Sequence, residues 1–136
     1  MGGFEHIEHT ADVGIRAWDT SLEGCFEQTT LSLLAIMDAW EPGTGERVEL
    51  ELEARDRIAL LVDWLSEVLY LQDARDAIVT GIDIERVSET DIKGSVSLVP
   101  RGDRSLEGTA VKAITYHKLA IDKDADGWTA RVYVDV

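Results

Sequence analysis

Cysteine, lysine and long apolar runs are all scarce in this sequence, and each scarcity excludes something. Cys25 is the only cysteine, so no disulfide framework exists and a reducing, cytoplasmic setting is expected. Its place on the apolar face of a predicted helix marks it as a core residue rather than a reactive one. The lysines number four, Lys93, Lys112, Lys118 and Lys123, and 27 acidic residues stand against 13 basic ones, for a net charge of −14. Such a chain repels phosphate backbones, so no tight direct nucleic-acid binding is expected from charge alone. The acid excess either aids solubility or meets a basic partner or metal ions. No apolar run approaches the roughly 18 residues a membrane helix needs. The start, Met1-Gly2-Gly3-Phe4-Glu5-His6, lacks the basic-then-apolar order of a secretory signal. There is no internal repeat, zinc-ligand spacing, glycine-rich phosphate loop or nucleophile elbow.

What is present suffices for one ordinary domain spanning 1–136, since 45% of the 136 residues are hydrophobic. Phe4 to Thr10 reads as a short extended segment. Asp12 to Trp18 reads as a strand, with Val13, Ile15 and Ala17 alternating with Gly14, Arg16 and Trp18. Thr20 with Glu23 three residues on predicts a capping box. The helix that follows buries Leu22, Cys25, Phe26, Thr29, Leu33, Ile36 and Met37 on one face. Arg47 to Arg55 is the clearest strand, its Val48, Leu50 and Leu52 alternating with Glu49, Glu51 and Glu53. Asp56 caps a second helix to about Gln72, with Ile58, Leu61, Val62, Leu65, Val68 and Leu69 as its core face. Strand patterns fill the remainder: Ile82–Glu85, Ser95–Val99, Ala110–Tyr116 and Trp128–Asp135, with Asp126-Gly127 as a hairpin signal joining Leu119–Ile121 to the last strand. The order is not a regular alternation of strand and helix. The expected class is therefore α+β, a two-layer single domain of mainly antiparallel sheet packed with two helices.

Three segments carry candidate chemistry: His9-Thr10-Ala11-Asp12, Lys112-Ala113-Ile114-Thr115-Tyr116 and Asp135-Val136. The Asp135 side chain and the main-chain carboxylate of Val136 are covalent neighbours, and two such groups repel unless a cation compensates them. A hard, oxygen-loving metal ion is the natural candidate. Asp12 lies where the chain bends, either as a ligand or as an Asx turn that serves the backbone. Lys112 interrupts an apolar strand on the face of Ile114 and Tyr116. It either meets an acid such as Asp135 across neighbouring strands or snorkels to the surface. His9 is a weaker metal candidate. On the second helix Asp63 and Glu67 share one face, with Asp63 expected in water.

Taken together these segments resemble the archease family. Phe4 to Ile15 resembles its opening motif, Ser21-Leu22-Glu23 with Phe26 its first helix, and Leu65-Ser66-Glu67-Val68-Leu69-Tyr70 its second. Gly108 to His117 resembles its late signature strand, and Val132 to Val136 its acidic end. The resemblance implies a non-catalytic protein cofactor of an RtcB-type RNA ligase in tRNA splicing, one that speeds attachment of GMP to the ligase and lets it turn over repeatedly. It implies a divalent cation (Ca²⁺, Mg²⁺ or Mn²⁺) held by Asp12, Asp135 and the Val136 carboxylate. Lys112 would be a functional residue of that pocket rather than a conventional catalyst. Some members carry an aspartate where Thr20 stands here; Asp19, one place early, is not assigned as a ligand. The competing readings are a metal-dependent phosphoesterase using Asp12, Asp135 and Lys112, and a general chaperone-like assembly module.

Overall fold

The computed structural model describes residues 1–8 and 12–136. His9, Thr10 and Ala11, which the opening motif includes, lie outside the described residues. The chain order is β1 (Gly3–Glu8), β2 (Asp12–Asp19), α1 (Leu22–Met37), β3 (Glu46–Glu53), α2 (Arg57–Ala74), β4 (Ala77–Val87), β5 (Asp91–Pro100), β6 (Ala113–Asp124) and β7 (Gly127–Asp135). The α+β class is the one observed. The strands divide into two antiparallel sheets, one ordered β1-β2-β7-β6 and the other β3-β5-β4. Helix α1 packs against β1, β2, β7 and β4, and α2 against β6 and all three strands of the smaller sheet. Both helices thus bury apolar side chains against both sheets, and one cluster unites Ile15, Phe26, Leu33, Trp64, Leu65, Val96 and Val132.

Helix α1 buries every residue of its predicted apolar face, Cys25 included at 0% exposure. Its cap differs from the expectation. Ser21, not Thr20, is the N-cap, and its hydroxyl accepts from the Gly24 amide at 3.0 Å. The Thr20 amide donates to Asp19 Oδ1 instead. Glu23 completes no capping box, because its carboxylate accepts from the Val87 amide at 3.2 Å. Glu27 does the same for the Ile84 amide at 2.9 Å. These two glutamates satisfy outward amides of β4, an edge strand whose free donors would otherwise invite pairing.

Helix α2 is capped as expected by Asp56, which accepts from the Ala59 amide at 2.8 Å. Leu60, Trp64 and Leu71 are buried beside the predicted core face, so the helix is covered on more than one side. The Trp64 indole donates to Thr30 Oγ1 at 3.0 Å, which meets its one polar requirement inside the core. Ile58, expected in the core, is 36% exposed in the first turn of α2.

Two corrections concern β6 and its turn. The strand begins at Ala113 rather than Ala110 and continues to Asp124. It is interrupted between Thr115 and Ala120, where four residues face one of β7 and Lys118 takes φ 52°. The hairpin turn falls on Ala125-Asp126, because the Asp126 amide bonds back to Asp124 Oδ1 at 2.8 Å. Gly127 (φ 136°) is the first residue of β7, in a conformation that L side chains adopt rarely.

Candidate functional site

Strand β2 starts at Asp12 and β7 ends at Asp135, and antiparallel pairing places these two residues directly opposite each other. Directly opposed residues put their side chains on one face of the sheet. Ala113, the first residue of β6, pairs with Asp135 from the other side. The Lys112 amide then donates to the Asp135 carbonyl at 2.8 Å. Three segments far apart in the chain therefore meet at one end of the larger sheet. Both aspartates are half-buried.

The face that carries them is the one turned from the helices. The alternate positions Ile15, Ala17, Ala130, Val132, Val134 and Ile114 form the core. On the aspartate side, Tyr133 pairs with Gly14 on β2 and Thr115 on β6. Tyr133 is 6% exposed, and its ring lies over Gly14, where an added Cβ would come within 2.9 Å of Tyr133 Cε1. His117, carried by the interruption in β6, meets that ring edge-on at 5.9 Å between centroids. Nothing in the sequence pattern singled out Tyr133; the available signal was the register of Gly14 against it.

The Archease protein family pattern matches residues 4–136. The chain belongs to the archease family. It is 33% identical over 139 residues to the archease of Methanosarcina mazei, an alignment covering 98% of this chain and 95% of that one. It is 34% identical over 143 residues to the archease of Thermococcus gammatolerans, with both chains fully covered. The solution structure of Methanobacterium thermoautotrophicum protein 1598 superposes with a TM-score of 0.77 at 29% identity, over 98% of this chain and 99% of that one. The crystal structure of an archease and possible chaperone from Thermotoga maritima shares the fold, with a TM-score of 0.67 at 24% identity, over 97% of this chain and 96% of that one.

In this archease-family chain the predicted residues separate by side. Lys112 is exposed, immediately ahead of β6, and lines a cleft of about 800 Å³ between Ser66–Asp76 of the α2 end and the 106–114 segment. Its tie to Asp135 is through the backbone; the Lys112 ammonium forms no ion pair within 4.0 Å among the described residues. The reason that β6 starts late is local. The Thr109 amide donates to Ile36 O at 2.8 Å, and Gly108 sits so close to the backbone of Ile36, Met37 and Asp38 that a Cβ would collide with it. Residues 108–109 are thereby held to the end of α1 rather than to β7. Val136 packs against the core. Glu67 is half-buried and Asp63 exposed, as expected for the latter. Asp19, at the far end of β2 from Asp12, belongs to a different part of the sheet. His6 serves the fold, its Nε2 lying 2.9 Å from Ser32 Oγ on α1.

The donor chemistry of the aspartate pair fits a hard divalent cation. Two carboxylates directly opposite on adjacent strands repel, and a cation between them converts that cost into coordination. The described residues contain no group of three His, Cys, Asp or Glu placed to hold a metal. A site here thus depends on the two aspartates plus oxygen donors of another kind, such as a main-chain carboxylate, water or a partner's group. No helix of the described residues is long and apolar enough to cross a membrane.

Proposed function

We propose that this protein is an activating cofactor of an RtcB-type RNA ligase in tRNA splicing, and that it acts through a divalent-metal pocket at the end of the larger sheet. The observation that carries the reading is the direct opposition of Asp12 and Asp135, with Lys112 tied by its amide to the same Asp135. Family membership over residues 4–136 supports the cofactor role. Asp12, Asp135 and the Val136 main-chain carboxylate would hold Ca²⁺, Mg²⁺ or Mn²⁺. The ion would supply charge neutralisation and open coordination positions for oxygen groups of the partner. The protein's own contribution would be to place the two acids opposite each other through the pairing of β2 with β7. Lys112 extends from the same chain end into the cleft, where it meets anionic groups of the partner or its nucleotide.

The test is multiple-turnover ligation by the cognate ligase with GTP and Mn²⁺, with and without this protein. Substoichiometric ligase should convert excess RNA only when the protein is present. Asp135→Ala, or one residue added after Val136, should abolish the stimulation while leaving the fold intact. Stimulation retained by both variants would sink the pocket reading. A general chaperone would work through exposed apolar surface, and among the described residues the large exposed hydrophobics are Met1, Ile58, Tyr70 and Tyr116. On that reading unrelated clients would respond and the aspartates would be dispensable.

A further inference from the structure

Positive charge is scarce in this chain and mostly neutralised. Among the described residues, eight of the 13 lysines and arginines form ion pairs within 4.0 Å, whereas Arg57, Lys112, Lys118, Lys123 and Arg131 form none. Three of these five border one seam, where α2 lies along β6. At the first turn of α2 the Arg57 guanidinium stands 5.2 Å from the centre of the Trp128 ring, and Lys123 Nζ lies 5.5 Å from the same ring. Lys123 and Trp128 are directly paired across β6 and β7. Just before the helix, Arg55 lies 5.7 Å over Tyr116 of β6, and among the described residues its one carboxylate partner is its neighbour Asp56 at 3.6 Å. At the other end of the seam Lys112 shares the cleft with Tyr70. Tyr70 is 65% exposed and Tyr116 50%.

The seam thus alternates cations with aromatic rings over roughly 20 Å, the length of α2 from Arg57 to Tyr70 at 1.5 Å per residue. Arg57 Nε is buried with no acceptor among the described residues, so the guanidinium is not committed to a carboxylate of the chain. Carboxylates do flank the seam. Asp76 is already bound by Arg101 at 2.8 Å, Asp73 lines the cleft end, Asp63 is exposed on α2 between Arg57 and Tyr70, and alternation along β6 turns Asp122 and Asp124 to the face opposite Lys123.

We infer that this seam binds single-stranded RNA, with phosphates on Arg55, Arg57, Lys123 and Lys112 and unstacked bases against Tyr116 and Tyr70. Cations spaced between ring faces suit a strand whose bases are free to stack, which neither a duplex nor an acidic protein surface offers. The whole-chain charge of −14 repels phosphate elsewhere, which confines the strand to the seam and keeps affinity modest. The Lys112 end leads to the aspartate pair through its amide bond to Asp135. The choice of RNA over DNA rests on the ligase-cofactor reading; the binding itself does not.

The experiment is fluorescence anisotropy of a labelled single-stranded oligoribonucleotide with the full chain alone, without ligase. The wild type should bind saturably at about 50 mM salt and weaken steeply with salt, each phosphate contact contributing about 0.7 to the logarithmic slope. Arg57→Ala with Lys123→Ala should lower that slope by about 1.4 and the affinity about tenfold or more. Tyr116→Ala, at a half-exposed position, should weaken binding about fivefold or more through lost stacking. Thermal melts of each variant report folding separately. No saturation by about 100 µM wild-type protein, the weak end of non-specific binding, would overturn the inference, as would variants that bind like wild type. Equal binding of the matching DNA strand would overturn the assignment to RNA. Ligase stimulation without RNA binding by this protein would refute the seam and leave the cofactor reading standing.

Discussion

Replacing Asp135 by Asn should change sign with metal. Asp12 and Asp135 face each other across β2 and β7, and like charges in that position cost roughly 0.2–1 kcal/mol. Asparagine removes the repulsion, keeps the volume and leaves the carbonyl that accepts from Lys112. In the presence of a chelator the variant should therefore melt at or above the wild type, by up to about 4 °C. With a divalent ion at a hundred times its dissociation constant the wild type gains about 2.7 kcal/mol, and the variant, short of a charged ligand, gains much less. The order of melting temperatures then reverses. Differential scanning calorimetry in EDTA and in Ca²⁺, Mg²⁺ and Mn²⁺ titrations reads this directly. Glu51→Gln controls for non-specific binding to an acidic chain, because Glu51 lies on the exposed side of β3 beside Arg86. A wild type indifferent to all three ions, or a variant that gains as much as the wild type, would refute a metal site at this pair.

Three further outcomes follow from the described contacts. Ser21→Ala should cost about 1 kcal/mol in urea unfolding and Thr20→Ala less than about 0.5 kcal/mol; the reverse order would restore Thr20 as the cap. Burial pushes the Cys25 thiol up to about 12, so a disulfide reagent should label it only after unfolding, and rapid stoichiometric labelling of the native protein would contradict its core position. Burial also raises the Glu27 carboxyl above its ordinary 4.5, although the Ile84 amide opposes the shift. A carboxyl harder to ionise when folded stabilises the native state below 4.5 and loses that contribution as pH rises through its folded value. Glu27→Gln, which keeps an acceptor for Ile84, should accordingly melt higher than the wild type at neutral pH and lose the advantage below 4.5; a difference independent of pH would show that the charge is irrelevant.

Local periodicity made part of the fold legible and non-local pairing hid the rest. Strand β3 reads directly from its sequence because one face meets the core and the other meets water. Strand β4 reads only in its second half. Its first four residues, Ala77 to Thr80, are all buried, so no alternation marks them. The division into two sheets has no local signal, since β2 pairs with β7 and β3 with β5 across long stretches of chain. At the site, the acids could be named from their motifs, but their opposition is a matter of register. Lys112 shows the limit most clearly. Strand alternation predicted a lysine inside β6, whereas the grip of Ile36 on Thr109 holds that stretch to α1 and delays the strand by three residues. The cation seam was equally hidden, because Arg57 and Lys123 look like ordinary surface residues until Trp128 is seen between them.

The dependence of the site on register explains why an acidic pair can persist at a sheet end despite its repulsion. A slip of one residue between β2 and β7 would turn Asp135 to the core side and carry Val132 and Val134 out of it. Both valines are at 0% exposure, as are Ile15 and Ala17 on the facing strand. Removing the two valines from the core costs several kcal/mol at roughly 1.5–3 kcal/mol each, well above the repulsion of one carboxylate pair. The core therefore fixes the position of the acids, and the acids need contribute nothing to folding. A cation that binds them finds the cost of bringing two like charges together already met by burial elsewhere. This separation is what lets a small fold keep a destabilising pair, which the proposed ion would relieve.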